Sequence, residues 1–499
     1  MQSTVLPRST PGEQGVDAGG IERFVAAVAG MDGVELHSLM VLRHGHVVDE
    51  RWWHPYAPGI PHGLYSLSKS FTSTALGMAV AEGLVDLDAT VLSYFPELDE
   101  VVTDAGARSI RVRHVAAMAS GHEEETVERA RVAGGGDLLR GFLQVPPERE
   151  PGTVFAYNQP CTYALSAIIS RVSGGSLTGF LRPRLFEPLG ISTYGWEADR
   201  VGRQLGFAGL HVATEAIAKV GQLYLDGGVW AGRRLLSAEW VAEATRKHVE
   251  TGRPEADWNL GYGFQFWRSR HGYRGDGAYG QYMLVLPEQD AVIAMTAQSP
   301  DMAAQLDAVW THLLPALTAG KDKAQTAGAD NAHTAGADNA HTAGGDNAHT
   351  AGGDNAHTAG ATSAQTAPVT ELAQPGRGDS AQTGTATELE LERPVGPARL
   401  TTGSYRAGAG NEVPTVREVV VDTKEIVVDG EAMALGDDGG WAGGGAVVTA
   451  YGADVVDLVF VETPHRMTIV LDAGAGTFAA RWRTVPLGRP TVAAQRMPR

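Results

Sequence analysis

Residues 1–318 are expected to form an α/β domain whose first and last segments share one antiparallel sheet. A low-complexity linker over residues 319–393 and a small β-sandwich or barrel over residues 394–499 should follow. Three observations carry this. Strand-like runs stand at both ends of the first region with helical patterns between them. An eight-residue motif then repeats (TAGADNAH, TAGADNAH, TAGGDNAH, TAGGDNAH). From Val395 onward, short β-type runs alternate with turn residues.

Ser38 to Val47 (SLMVLRHGHV) reads as two short strands around a polar turn. Ser66 to Val85 is long, apolar and rich in Ala, Leu and Met, the pattern of a buried helix. A second helix is expected over about Thr162 to Val172, stopped by Gly174-Gly175. Tyr282 to Ala297 reads as two strands joined by a Pro-Glu-Gln-Asp turn, with a closing helix over Met302 to Leu317. The repeats contain almost nothing large and apolar, so burial cannot offset the entropy of ordering them. His333, His341, His349 and His357 recur at the repeat period. A low-complexity tract explains them, with weak metal binding as the competing reading. The last region holds VREVVVD, EIVVDGEAMAL, AVVTAYG, VVDLVFVET, RMTIVLD and FAARWRTV, and no catalytic constellation.

Composition narrows the function. Hydrophobic residues make up 43% of the 499 and charged residues 20%, which supplies ample core. The formal net charge of −18 argues against nucleic acid and anionic membrane as partners. No apolar run is long enough for a membrane helix. The start lacks a basic segment followed by an apolar one, and the single cysteine, Cys161, needs no oxidising compartment. A cytoplasmic location is therefore expected.

The chemistry lies in LYSLSKSFTS. On a helix, Ser66 and Lys69 share a face one turn apart. A serine hydroxyl is a weak nucleophile until a neighbour takes its proton, and a lysine does this only when burial disfavours its ammonium. Backbone N–H groups at the helix start favour a developing oxyanion. Two further segments join in: PGTVFAYNQ places Tyr157 in a loop entering the second helix, and YRGDGAYGQY sets small residues just before a strand. That second segment also spells G-x-G-x-x-G from Gly275 to Gly280, but it leads into a strand and opens no helix, so a dinucleotide site is not expected. There is no G-x-S-x-G, H-E-x-x-H or cysteine cluster, so neither an α/β-hydrolase elbow nor a metal is implied. No cofactor is called for.

In the order and spacing of these motifs, residues 5–318 resemble the serine β-lactamase and penicillin-binding-protein superfamily. The resemblance is to the branch with class C β-lactamases, DD-peptidases, related esterases and 6-aminohexanoate-oligomer hydrolases. It implies a β-lactamase-like fold, a central antiparallel sheet flanked by helices plus a helical subdomain, to which Gly209–Val241 is similar. Val112–His122 is similar to the helix before the active-site loop. By the same resemblance Ser66 is the acylated serine, Lys69 its paired lysine and Tyr157 the tyrosine of Tyr-x-Asn, with Gln159 in the third position and Asn158 one earlier. Gly275-Asp276-Gly277 stands where the family has Lys-Thr-Gly, and Ser66 and Ala278 supply the oxyanion-hole N–H groups. Loss of that lysine removes a cation for a β-lactam carboxylate and leaves Asp276, which leans toward ester or amide substrates. Asp276, Gly277, Gln159 and Gln281 are candidate substrate contacts. His122 either lines the cleft or is a satisfied structural histidine. Trp196, Trp258 and Cys161 read as packing.

The expected activity is thus hydrolysis of a small ester or amide through an acyl-enzyme on Ser66. The alternatives are a non-catalytic ligand sensor on the same fold, an acyltransferase, and a weak β-lactamase or DD-peptidase. The sequence sets no oligomeric state.

Overall fold

The computed structural model describes residues 4–318 and 400–498, apart from 423–424, 435–445, 452, 488–490, 493 and 496. The octapeptide repeats with their four histidines, and the limits set for the linker at 319 and 393, lie outside the described residues.

Helix α1 (Ala18–Ala29) starts on Asp17, whose carboxylate accepts the Gly19 N–H at 3.0 Å. Strands β1 (Glu35–Arg43) and β2 (His46–Trp52) form a hairpin, then α2 (Ser68–Ala81), α3 (Gln159–Ser173) and α4 (Thr214–Leu225) follow among shorter helices. Strands β3 (Trp267–Arg268), β4 (Tyr273–Gly277), β5 (Gln281–Leu286) and β6 (Ala291–Gln298) precede α5 (Met302–Ala308), whose helical path continues to Thr318. These six strands form one sheet in the order β2-β1-β6-β5-β4-β3. β1 pairs antiparallel with β6, Glu35 opposite Gln298 and Arg43 opposite Ala291, so the expected sharing of one sheet by the first and last segments holds.

Both faces of this sheet are covered, which is why β1 carries an unbroken apolar run over Leu39–Leu42. Leu39 and Val41 join a core with α1 and α5, while Met40 and Leu42 join a larger core under α2, α3 and α4. α1 approaches the closing helix so tightly that a Cβ on Gly20 would lie 2.3 Å from the Ala316 Cβ. α4 departs from the expectation that Gly209–Val241 belongs to a helical subdomain. Its Gly221 faces Val292 and Met283, and a Cβ there would meet Val292 Cγ1 at 2.6 Å, so the helix lies on the sheet.

Helix α2 is buried from Ser68 to Ala79. Its hydroxyls are satisfied internally: Ser70 donates to the Gln265 carbonyl at 3.0 Å, Thr72 to Gly206 at 2.8 Å and Ser73 to Phe264 at 2.6 Å. It begins two residues later than expected. Ser66 lies in a 3-10 turn (Tyr65–Leu67) that runs into the helix.

The C-terminal region is all β, as expected. Strands β7 (Gly403–Ala407), β8 (Glu418–Val421), β9 (Glu425–Val428), β10 (Glu431–Ala434), β11 (Ala446–Tyr451), β12 (Val455–Phe460), β13 (Arg466–Asp472) and β14 (Thr477–Trp482) curl into a near-barrel. Their order is β10-β9-β8-β7-β14-β13-β12-β11, with β7 and β14 parallel and the other pairs antiparallel. Their inward residues, among them Val419, Ile426, Val456, Leu458 and Ile469, form a separate core.

Candidate active site

Three elements converge on Ser66: the turn at the head of α2, the loop entering α3, and the β4–β5 hairpin. Gly275 and Gly277 let the hairpin approach. A Cβ on Gly275 would sit 2.4 Å from Ser70 Oγ, and one on Gly277 would sit 2.1 Å from the Leu64 carbonyl oxygen. Only glycine permits β4 to lie this close to the turn that carries Ser66. The hairpin turn is closed by the Gly280 N–H donating to the Gly277 carbonyl at 3.2 Å, with Ala278 exposed partway to solvent at its tip.

Lys69 Nζ lies 3.0 Å from Ser66 Oγ, 2.7 Å from Gln159 Oε1 and 2.9 Å from the Phe207 carbonyl oxygen. It also stands 4.7 Å from the centre of the Tyr157 ring, and that phenol lies beside the Ser66 hydroxyl. Lys69 is only 1% exposed, whereas Ser66 and Tyr157 are half-buried. Burial pulls the Lys69 ammonium down to about 7, against the opposing pull of Glu125 and Asp276. The same burial pushes the Tyr157 phenol well above its ordinary value of 10, and the Ser66 hydroxyl offsets only part of this. Near neutral pH the phenol therefore keeps its proton while the lysine can accept one. Tyr157 is held by stacking on Trp267, with ring centres 5.4 Å apart and planes 23° from parallel.

The structure brings Ser66, Lys69, Tyr157, Gln159, Gly277 and Ala278 together. Gln159 reaches Lys69 itself, and its own N–H donates to Glu125 Oε1 at 2.9 Å. Asn158 turns the other way, its Oδ1 accepting from the N–H and hydroxyl of Thr126, both at 2.9 Å.

Three expected substrate contacts are corrected. His122 is fully buried, with Nδ1 2.9 Å from Ser120 Oγ and Nε2 3.0 Å from the Val145 carbonyl oxygen, so it is structural. Gln281 is equally buried. Its amide donates to the carbonyls of Ala278 at 3.0 Å and Ala297 at 2.8 Å, bracing the hairpin instead of meeting substrate. Asp276 pairs across the sheet with Tyr282, on the face packed by α1 and α5, because alternate residues of a strand point to opposite sides. There its carboxylate accepts from Arg274 Nε and Trp258 Nε1, both at 3.0 Å, so it is spent on an internal ion pair. Trp196 packs as expected, its Nε1 donating to the Ala208 carbonyl at 2.8 Å. Cys161 is buried and its thiol is pushed up to about 12, the state of an inert core cysteine.

Glu125 went unnoticed in the sequence. It sits half-buried beside Gln159, and burial raises its carboxyl above the usual range. Among the described residues, no group of three or more His, Cys, Asp or Glu side chains is placed to hold a metal ion, and no helix is long and apolar enough to cross a membrane.

The model of the beta-lactamase family matches residues 21–317. The chain belongs to the beta-lactamase family. Within it, the chain is 30% identical over 296 residues to the 6-aminohexanoate-dimer hydrolase of Paenarthrobacter ureafaciens, an alignment covering 53% of this chain and 73% of that one. It is 28% identical over 276 residues to penicillin-binding protein 4 of Amycolatopsis lactamdurans, covering 46% and 70%. Among solved structures, the octameric penicillin-binding protein homologue of Pyrococcus abyssi aligns with a TM-score of 0.47 at 17% identity, over 91% of this chain and 96% of that one. The family match spans the six-stranded sheet and every residue gathered around Ser66, and it ends at residue 317.

Proposed function

We propose that this beta-lactamase-family protein hydrolyses an ester or amide bond through an acyl-enzyme on Ser66. The observation that carries the reading is a buried lysine amine 3.0 Å from the hydroxyl of a half-buried serine, with its ammonium already weakened to about 7. Neutral Lys69 takes the hydroxyl proton as Ser66 Oγ attacks the carbonyl carbon. The oxyanion rests on the N–H groups of Ser66 and Ala278. Tyr157, protonated and beside Ser66, passes a proton to the departing alkoxide or amine and is reprotonated by the Lys69 ammonium. Water then attacks the acyl carbonyl, Lys69 accepting its proton and handing one back to the departing Ser66 Oγ, and the acid leaves.

The substrate reading rests on Gly275 and Asp276. No side chain fits at Gly275, so the cation that the family's lysine would offer to a substrate carboxylate has no counterpart there. The Asp276 charge is neutralised by Arg274 on the far side of the strand. This favours acyl groups without a carboxylate beside the scissile bond, and it disfavours β-lactams and cell-wall peptides. The relative named as a 6-aminohexanoate-dimer hydrolase lends support for the amide side of the range.

The test is intact-mass measurement after exposure to a panel of short esters, amides and a penicillin, with Ser66→Ala in parallel. Acylation of the wild-type protein by an uncharged ester, absent in Ser66→Ala, is the expected result. A protein that binds these compounds and forms no adduct would be a sensor, and the proposal would fail.

A further inference from the structure

The C-terminal β-domain does not stand apart from the site. Its 461–465 loop and the segment after β14 reach the two residues that flank the oxyanion-hole N–H groups. The Tyr65 phenol, one residue before Ser66, hydrogen-bonds His465 Nε2. The Tyr279 phenol, one residue after Ala278, donates to the Val485 carbonyl at 2.8 Å. The three rings also pack edge to face: Tyr65 to Tyr279 at 5.2 Å, Tyr279 to His465 at 5.1 Å and Tyr65 to His465 at 5.9 Å between centres. Beside them, the Gly63 N–H donates to the Glu462 carbonyl at 2.8 Å, and Arg466 reaches Glu35 on β1 at 2.8 Å.

Both tyrosines hold a backbone conformation that bulky residues avoid, with φ of 47° at Tyr65 and 67° at Tyr279. Tyr279 occupies the third position of the Gly277–Gly280 turn, where a positive φ usually selects glycine or asparagine. Such strain persists only where the surroundings over-determine it. The Tyr65 backbone orients the peptide that bears the Ser66 N–H. Tyr279 follows the peptide that Gln281 pins through the Ala278 carbonyl.

We propose that His465 and the Val485 carbonyl act as positioning groups for the oxyanion hole, so that the β-domain completes a catalytic site its own strands do not contain. The proposal rests on the acyl-enzyme reading of Ser66. His465 is only 1% exposed, and burial lowers its imidazole to about 3, so the ring is neutral. Its Nδ1 faces the Thr484 hydroxyl at 3.3 Å, and its Nε2 pairs with the Tyr65 phenol.

The experiment uses the full chain and four variants: His465→Ala, His465→Gln, Tyr65→Phe and Tyr279→Phe. Each is assayed on a short-chain ester and on its thionoester, whose sulfur is a larger and weaker hydrogen-bond acceptor. Rates are normalised to the end-point of Ser66 labelling by a fluorophosphonate. Loss of a whole oxyanion donor costs about 10²–10³ in kcat, so misplacing one should cost about tenfold. The expected result is a fall of about tenfold in kcat on the oxygen ester with KM little changed, and a matching fall in the oxygen-to-sulfur rate ratio. Gln, which retains an acceptor, should restore part of both. The phenylalanine variants keep both rings, so they test the hydrogen bonds should His465→Ala fail to fold. An unchanged oxygen-to-sulfur ratio in fully labelled variants would overturn this proposal alone. Absence of Ser66 labelling in the unmodified protein would overturn the hydrolase reading beneath it.

Discussion

Replacing Lys69 by arginine tests the proposed general base directly. Arginine keeps the positive charge and most of the length, but its guanidinium is not deprotonated in proteins. With the lysine midpoint at about 7, half of the wild-type molecules carry a neutral amine at pH 7. That share falls to roughly one in ten at pH 6 and roughly one in a hundred at pH 5. Because the neutral form is the one that accepts the Ser66 proton, kcat/KM should rise with pH along a limb of unit slope and level off above about 8. For Lys69→Arg the neutral share at pH 8 is below about 10⁻⁴, so the rate should fall by about 10³-fold or more at every pH, and the limb should vanish. The assay is kcat/KM on a nitrophenyl ester from pH 5 to 9, together with the rate of fluorophosphonate labelling. Retention of a tenth of the wild-type rate by the arginine variant, or a wild-type profile flat between pH 5 and 9, would refute Lys69 as the base.

Other outcomes follow from the same geometry. Glu125→Gln removes an anion that favours the ammonium of Lys69, so the acid limb should move below pH 7, read from the same profile. Gly277→Ala puts a Cβ 2.1 Å from the Leu64 carbonyl oxygen and must push β4 from the serine turn. A loss of about 10²-fold in kcat is expected, with a lowered Tm in a thermal melt. His122→Ala leaves the Val145 carbonyl and Ser120 without their buried partner, which should cost about 1–3 kcal/mol by urea unfolding while KM stays unchanged.

The strands at the two ends of the hydrolase domain were legible because a strand covered on both faces is apolar on successive residues, as LMVL (39–42) and MLVL (283–286) are. Ser66 and Lys69 were legible because a three-residue spacing fixes their shared face whether the turn is 3-10 or α. Asp276 was misread through register. Gly275 and Gly277 face α2, so the residue between them has to face the opposite side, an inference that strand alternation alone would have allowed. His122 and Gln281 sit beside the right elements, but nothing in sequence tells a polar side chain that braces a wall from one that lines it. Glu125 lies in a loop without periodicity. The contacts of His465 with Tyr65 join residues 400 positions apart, across a stretch where sequence pattern carries no distance information.

The pairing of β1 with β6 also governs how the domain is made. Glu35 meets Gln298 in the middle of the sheet, so a nascent chain can dock its opening strand only after some 260 further residues have left the ribosome. At bacterial-type elongation speeds of about 5–20 residues per second, the apolar β1–β2 hairpin waits tens of seconds without its central neighbour. During that interval it is an unpaired edge, open to pairing with another chain.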